Sequence, residues 1–385
     1  MSRKPEARER GGMPAMRYAE CYSIGLRSCA LALACGLVLL ASAAPAKEPA
    51  AIPPAGGRWD TGKGFSFERK AGKTRRSLSG IACPATTAGP RLCLAVFDEG
   101  VEARYVSLTD GTALPDAERI VLQPGGRELD AEGAATDGRF YYVVGSHSAK
   151  RGSCASNPDS RHLIRFRLDP RTGRGLRDGQ GGLVDLQDTG ALWRLMAQLP
   201  ELAPHVGEEM CLGSEPPPDA PRRKGLQGID IEGVAVKDGR LHFGLRGPAI
   251  GGQALILSVD ADALFAGADA RPRLSRVAVG EGRAIRDMTT VEDGFLLLVG
   301  PDDDAMHRKL PFSVMRWDGR EGETAARPKE LASLALDKVK LRGCDEEIKP
   351  EAIAALEDRP GAPYRVVVFS DGLCDGGPLG FSIPR

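Results

Sequence analysis

The chain has 385 residues, with 52 Lys plus Arg against 52 Asp plus Glu, so its formal charge at pH 7 is zero. That balance excludes nucleic acid or an anionic membrane as the main electrostatic partner. Aromatic residues make up 5% and no basic stretch is interleaved with stacking rings, which excludes a single-strand nucleic-acid platform.

Residues 1–46 read as an N-terminal extension and a signal peptide. Ser28 to Leu40 is apolar, Arg17 and Arg27 precede it, and Ala41-Ser42-Ala43 or Ala44-Pro45-Ala46 supply small-residue cleavage sites. The apolar run is too short for a comfortable bilayer span, and a lipid-modified Cys35 is the lesser alternative. The expectation is a periplasmic or secreted chain without a transmembrane anchor. Discounting six basic and three acidic residues of this segment leaves 46 against 49. Residues 47–63 read as a linker, and 64–385 as a single domain.

That domain repeats one phrase five times. It reads Ser79-Gly80-Ile81-Ala82, Asp130-Ala131-Glu132-Gly133, Asp230-Ile231-Glu232-Gly233, Asp287-Met288-Thr289-Thr290 and Glu351-Ala352-Ile353-Ala354. Each copy precedes a turn and an apolar run: Leu92 to Phe97, Phe140 to Val144, Leu241 to Leu245, Phe295 to Val299 and Tyr364 to Phe369. The middle turns are Asp-Gly pairs, in which glycine takes a positive φ cheaply. With Gly80, Gly133, Gly233, Thr289 and Ala352 taken as equivalent, the steps are 53, 100, 56 and 63 residues. The spacing predicts an all-β fold, a β-propeller of five repeats. The doubled step admits a sixth blade as the alternative. However, Leu192, Leu195, Met196 and Leu199 follow helical spacing and Glu215 to Lys224 reads as loop, so a helical insert near 190–200 is favoured.

Third strands are expected at Ala103 to Leu108, Leu163 to Leu168, Ala254 to Val259 and Phe312 to Trp317. Fourth strands are expected at Arg119 to Gln123, Leu183 to Gln187, Leu274 to Val279 and Leu331 to Leu336. The last repeat has only Leu379 to Ile383 after its hairpin. Gly64 to Glu68 from the front of the chain is expected to complete it and close the ring.

Six cysteines follow the export segment: Cys83, Cys93, Cys154, Cys211, Cys344 and Cys374. Six allow fifteen connectivities. The hairpin register selects Cys83 with Cys93 and Cys344 with Cys374, leaving Cys154 with Cys211. No pair has the spacing of a zinc knuckle or a redox motif.

The phrases Glu128-Leu129-Asp130-Ala131-Glu132-Gly133, Gly145-Ser146-His147-Ser148, Gly228-Ile229-Asp230-Ile231-Glu232-Gly233 and Gly244-Leu245-Arg246-Gly247-Pro248 resemble those of an exported bacterial family, domain of unknown function 3616. More distantly, the chain is similar to esterase-like or phytase-like propellers, in which an Asp-x-Glu-Gly phrase opens inner strands. The resemblance covers roughly residues 64 to 384 and implies a propeller and an exported compartment. It carries no catalytic residues.

Function is therefore read from where the repeats place polar groups. In each antiparallel hairpin the start of the first strand and the end of the second share one end. That face gathers Asp130, Glu132, Asp230, Glu232, Asp287 and Glu351 with Asp98, Glu99, His147, Arg246, Asp302, Asp303, Asp304 and Asp371. Short acids repeated in every blade fit ties between blades, the expected role of Asp130, Asp230 and Asp287. Glu132, Glu232, Glu351 and Asp371 are ligand-binding candidates. Arg246 either grips a ligand carboxylate or phosphate or pairs with Glu232 across its own hairpin. His147 is a candidate base or ligand, against a plain loop histidine. Asp98, Asp302 and Asp303 are the candidate metal ligands, calcium being the candidate ion, although the spacing of a calcium loop is absent.

The sequence contains no nucleophile elbow, zinc-protease helix, phosphate loop or dinucleotide fingerprint. Two functions are expected from different classes. The first is a module binding a small polar molecule, cation or protein loop at the acidic mouth. The second is a metal-assisted esterase or phosphoesterase-like hydrolase, with Arg246 steadying the developing charge.

Overall fold

In a computed structural model of the chain, the described residues are 51–385 apart from 86–88, 124, 215–226 and 322–324. The export segment, its cleavage sites and the loop from Glu215 to Lys224 lie outside them. Five sheets follow one another along residues 48–385, a five-bladed β-propeller. The six-bladed alternative fails because the described residues of the doubled step add the helix Ala191–Met196 and no further sheet. Leu192 and Met196 are fully buried against the core of the second and third blades, which is what their helical spacing is for.

Blade one is Leu78–Ala82, Arg91–Phe97, Glu102–Thr109 and Thr112–Val121. Blade two is Ala131–Thr136, Phe140–Gly145, Leu163–Asp169 and Gln187–Thr189, with Arg174–Gly175 on the third strand. Blade three is Asp230–Lys237, Arg240–Gly247, Gln253–Asp260 and Arg273–Ala278. Blade four is Arg283–Val291, Gly294–Pro301, Ser313–Trp317 and Lys329–Leu334. Blade five is Lys349–Glu357, Tyr364–Asp371 and Leu379–Ile383. The second strands are apolar on both faces because each blade is covered by its neighbours on either side. Inner strands touch in a closed cycle, first to second through fifth and back to first. The contact is tight: a Cβ on Gly133 would lie 3.0 Å from the backbone N of Val234 in the next blade.

Closure differs from the expected strand addition. Gly64 to Glu68 forms no strand, because Gly62 and Gly64 take φ of +57° and +74° and the Phe65 N–H is bound by the Asp375 carboxylate at 2.7 Å. The segment is instead a strap. Ala51–Ile52 pairs in parallel with Ser333 and Leu334 of blade four, and the backbone N–H groups of Ala55 and Trp59 donate to Gly380 and Pro378 of blade five. Phe65 and Phe67 then pack edge-on to Phe97 of blade one, 5.1 and 5.0 Å between centroids. Burying three aromatic side chains, Trp59 included, takes the place of a shared strand. Fourth strands also shift: blade one's runs from Thr112 and blade two's begins at Gln187.

All three expected disulfides form: Cys83 with Cys93, Cys154 with Cys211, and Cys344 with Cys374. Among the described residues, no helix is long and apolar enough to cross a membrane.

Candidate functional site

Every inner strand carries a β-bulge at the same level. The register skips Ser79 between Leu78 and Gly80, Glu132 between Ala131 and Gly133, Glu232 between Ile231 and Gly233, Arg286 between Ile285 and Asp287, and Glu351 between Pro350 and Ala352. A bulge turns its extra residue out of the ladder, so one side chain per blade is re-aimed at the acidic end of the axis. The resulting ring reads Ser, Glu, Glu, Arg, Glu. The three glutamates sense one another's charge, and Arg286 reaches Glu232 at 3.4 Å and forms a short contact with Glu351.

The ring has a compensated half. Arg246 Nη1 donates to Glu232 Oε1 at 2.9 Å, its Nε lies 3.2 Å from Asp303, and its Nη2 donates to the Asp302 carbonyl at 3.3 Å. Arg246 thus makes the ion pair across its own hairpin and reaches blade four besides. Arg151, from the loop after the second blade's hairpin, crosses to Asp303 at 3.0 Å and approaches Asp230 at 3.9 Å. Burial alone would raise the Asp303 carboxyl, but the facing guanidiniums of Arg246, Arg151 and Arg286 bring it below the usual range. Lys349 closes this half on Asp371 at 2.9 Å.

In the other half the described cations are engaged by other acids, Lys73 by Glu99 and Arg151 by Asp303, with Arg151 3.9 Å from Asp230. Glu132 is 9% exposed, and among the described residues none donates a hydrogen bond to its carboxylate. Burial, then the charges of Glu232, Asp130 and Asp98, push it well above the usual carboxylate range. Burial and the neighbours Asp371 and Asp130 push Asp98 up to about 8, and one of its oxygens is buried without a partner. Burial, then Asp303 and Glu232, raise Asp230, whose Oδ2 also has no hydrogen bond. Asp130 is raised by burial yet is bonded by Ser146 Oγ and by Asn157 at 3.3 Å. Asp98, Asp130, Glu132 and Asp230 share the wall of one cavity of about 550 Å³.

The remaining candidates resolve as follows. Glu351 is pushed up to about 8 by burial, against the opposing pull of Arg286, and is tied to that arginine. His147 is not at the mouth: it is fully buried, its Nδ1 donates to the Gly145 carbonyl at 2.8 Å, and it packs near Trp193. Burial pushes its imidazole down to about 4, so it is a neutral core histidine. The Asp302 to Asp304 run splits in three. Asp302 accepts from the Asp304 N–H at 2.9 Å and faces His307 Nδ1 at 2.8 Å, Asp303 joins the arginines, and Asp304 accepts from Ser214. Asp302, Asp304 and His307 do bring donor atoms within 4.8 Å of one another, but Asp98 and Asp303 take no part. Asp287 ties blades, accepting from the Ile353 N–H at 2.7 Å.

Two site residues escape sequence reasoning. Arg286 is hidden because the repeats are read with Thr289 in the place of Gly133 and Gly233, whereas the bulges put Asp287 there. Moving the fourth repeat by two residues would have exposed it. Arg151 carries no local signal, since only the path of its loop across the mouth brings it to Asp303.

Residues 91–168 and 221–374 match a family described as protein of unknown function, DUF3616. No curated protein matches the chain. Among solved structures, a GH43 endo-arabinanase from Bacillus licheniformis is 10% identical, with 85% of this chain and 95% of that chain covered and a TM-score of 0.35. A glycosyl hydrolase from Bacteroides ovatus is 10% identical over 87% and 93%, TM-score 0.34. BamB from Moraxella catarrhalis is 10% identical over 80% and 85%, TM-score 0.27.

Proposed function

The chain belongs to the DUF3616 family of proteins of unknown function, and from that starting point we propose that it is an exported propeller that binds a small, positively charged polar ligand in its acidic axial cavity. The observation that carries this reading is Glu132, a buried carboxyl aimed by a bulge into a cavity of about 550 Å³ and given no hydrogen-bond donor among the described residues. A buried carboxylate without a partner is costly, and a cationic ligand removes that cost on binding. The volume suits a small organic molecule. Export is supported by the apolar segment with its cleavage sites and by three disulfides, which persist in oxidising compartments.

A hydrolytic reading draws on Asp98 and Glu351, whose carboxyls at about 8 are protonated at neutral pH and suited to general-acid work. Arg246 adds nothing to it, since Glu232 and Asp303 already hold its guanidinium. The deciding experiment is a thermal-shift and calorimetric screen of small amines, metal ions and sugars, run beside esterase and phosphatase substrates with and without calcium. Saturable cation binding that Glu132→Gln abolishes supports the binding module. Turnover without such binding replaces it with the hydrolase.

A further inference from the structure

Resting on the reading that this cavity takes a small cation, we propose that its ligand is a linear aliphatic diamine or polyamine, whose separated ammonium groups are received by carboxylates on three successive blades. Asp98 follows the second strand of blade one, Glu132 sits on the inner strand of blade two, and Asp230 starts blade three. Glu132 is buried with no hydrogen bond to its carboxyl among the described residues, and Asp98 and Asp230 each bury one oxygen without one. All three line the same cavity. These are unmet acceptors at separate stations along an arc.

Their separation argues against a single metal ion. Among the described residues, three-group clusters with donor atoms within 4.8 Å occur at Asp302, Asp304 and His307 and at Cys344, Asp345 and Cys374, and none is formed by the cavity carboxylates. A calcium ion needs several oxygens at about 2.3–2.6 Å. A chain with a nitrogen at each end needs only one acceptor per station.

The walls also select the kind of nitrogen. The described lining holds no aromatic ring, so the cage that favours quaternary ammonium is missing, whereas free carboxylate oxygens want N–H donors. Ala149 and Leu212 give the cavity apolar wall for methylene spacers. Of the cations at the rim, Lys73 pairs with Glu99 and Lys150 is exposed to solvent, while Arg151 pairs with Asp303 at 3.0 Å and stays 3.9 Å from Asp230, too far for a hydrogen bond.

Binding should be coupled to proton release. Asp98 faces the acids Asp371, Asp130 and Glu132, with Lys73 as its nearby cation, and in the free protein it holds a proton at neutral pH. An arriving ammonium group ionises it and expels that proton to the buffer.

The test is calorimetric titration of the mature chain in about 0.15 M salt, where surface charge is screened, with 1,4-diaminobutane, spermidine, butylamine, calcium chloride and magnesium chloride. Each is run in two buffers of different ionisation heat. The expected result is one saturable site for the diamine and triamine and binding at least about tenfold weaker for butylamine, a difference of about 1.4 kcal/mol. The heat should depend on the buffer. Asp98→Asn should reduce that dependence and Glu132→Gln should weaken binding, both with unchanged circular dichroism, because each change replaces a carboxyl by an amide of the same shape in a cluster of acids. Calcium binding that Glu132→Gln abolishes, with no amine binding, overturns the polyamine while leaving a cation site standing. Amine binding equal in parent and both variants overturns the assigned cavity. No binding of amine or metal by the folded protein overturns the cation site itself.

Discussion

The Asp287 carboxylate on the inner strand of blade four accepts a 2.7 Å hydrogen bond from the backbone N–H of Ile353 on the inner strand of blade five. It is a tie between blades made inside the ring, and Asp287 is 2% exposed. Asp287→Ala leaves that N–H unpaired. The expected cost is about 1–3 kcal/mol, read by urea denaturation, with ligand binding unchanged in the protein that remains folded. A variant as stable as the parent would remove the tie.

Arg246 and Glu132 separate support from binding. Arg246→Ala removes the closest cation from Glu232, leaving it Arg286, and one of two from Asp303, leaving it Arg151, and should destabilise by about 1–3 kcal/mol. Glu132→Gln relieves repulsion from Asp98, Asp130 and Glu232 and should melt at or above the parent temperature while losing ligand affinity. Differential scanning calorimetry beside the binding assay distinguishes them. The reverse ordering of melting temperatures would show that Glu132 is the support.

Stability should fall as pH rises through the neutral range. Asp98 and Glu351 titrate near 8 in the folded chain, against about 4 when unfolded. Between those limits the native state holds more protons than the unfolded state, so the slope of stability against pH is negative. Melting temperature should therefore be higher near pH 5 than near pH 8 without ligand, and Asp98→Asn should flatten the profile. A parent protein that gains stability across this interval would contradict the protonated cavity.

The strap hangs on Asp375. Its carboxylate receives Arg75 Nε at 2.7 Å, Arg75 Nη2 at 2.6 Å and the Phe65 N–H at 2.7 Å, while Arg58 binds Asp345 and the Cys374 carbonyl alongside. Asp375→Ala should cost about 2–3 kcal/mol, the scale of hydrogen bonds to charged groups, and should open residues 55–70 to limited proteolysis. Unaltered cleavage and stability would mean that Trp59, Phe65 and Phe67 hold the strap unaided.

The amino-acid sequence by itself determined the blades: apolar runs such as Phe140–Gly145 and Gly294–Pro301 can only be buried strands, Asp-Gly turns set the middle hairpins, and the register of the first and last hairpins brings Cys83 to Cys93 and Cys344 to Cys374. It also placed Glu132, Glu232 and Glu351 at one mouth, because hairpin polarity follows from turn position. Only the tertiary structure decided which of them is free. A bulge shifts register by one residue without changing the apolar pattern, so Arg286 became Glu351's partner unseen. Arg151 meets Asp303 across 152 residues, through a loop whose path no local rule fixes. Charge compensation is a sum over every blade that faces the axis, and among the described residues that sum leaves Glu132 without an ion pair while Arg246 and Arg286 pair with its counterparts.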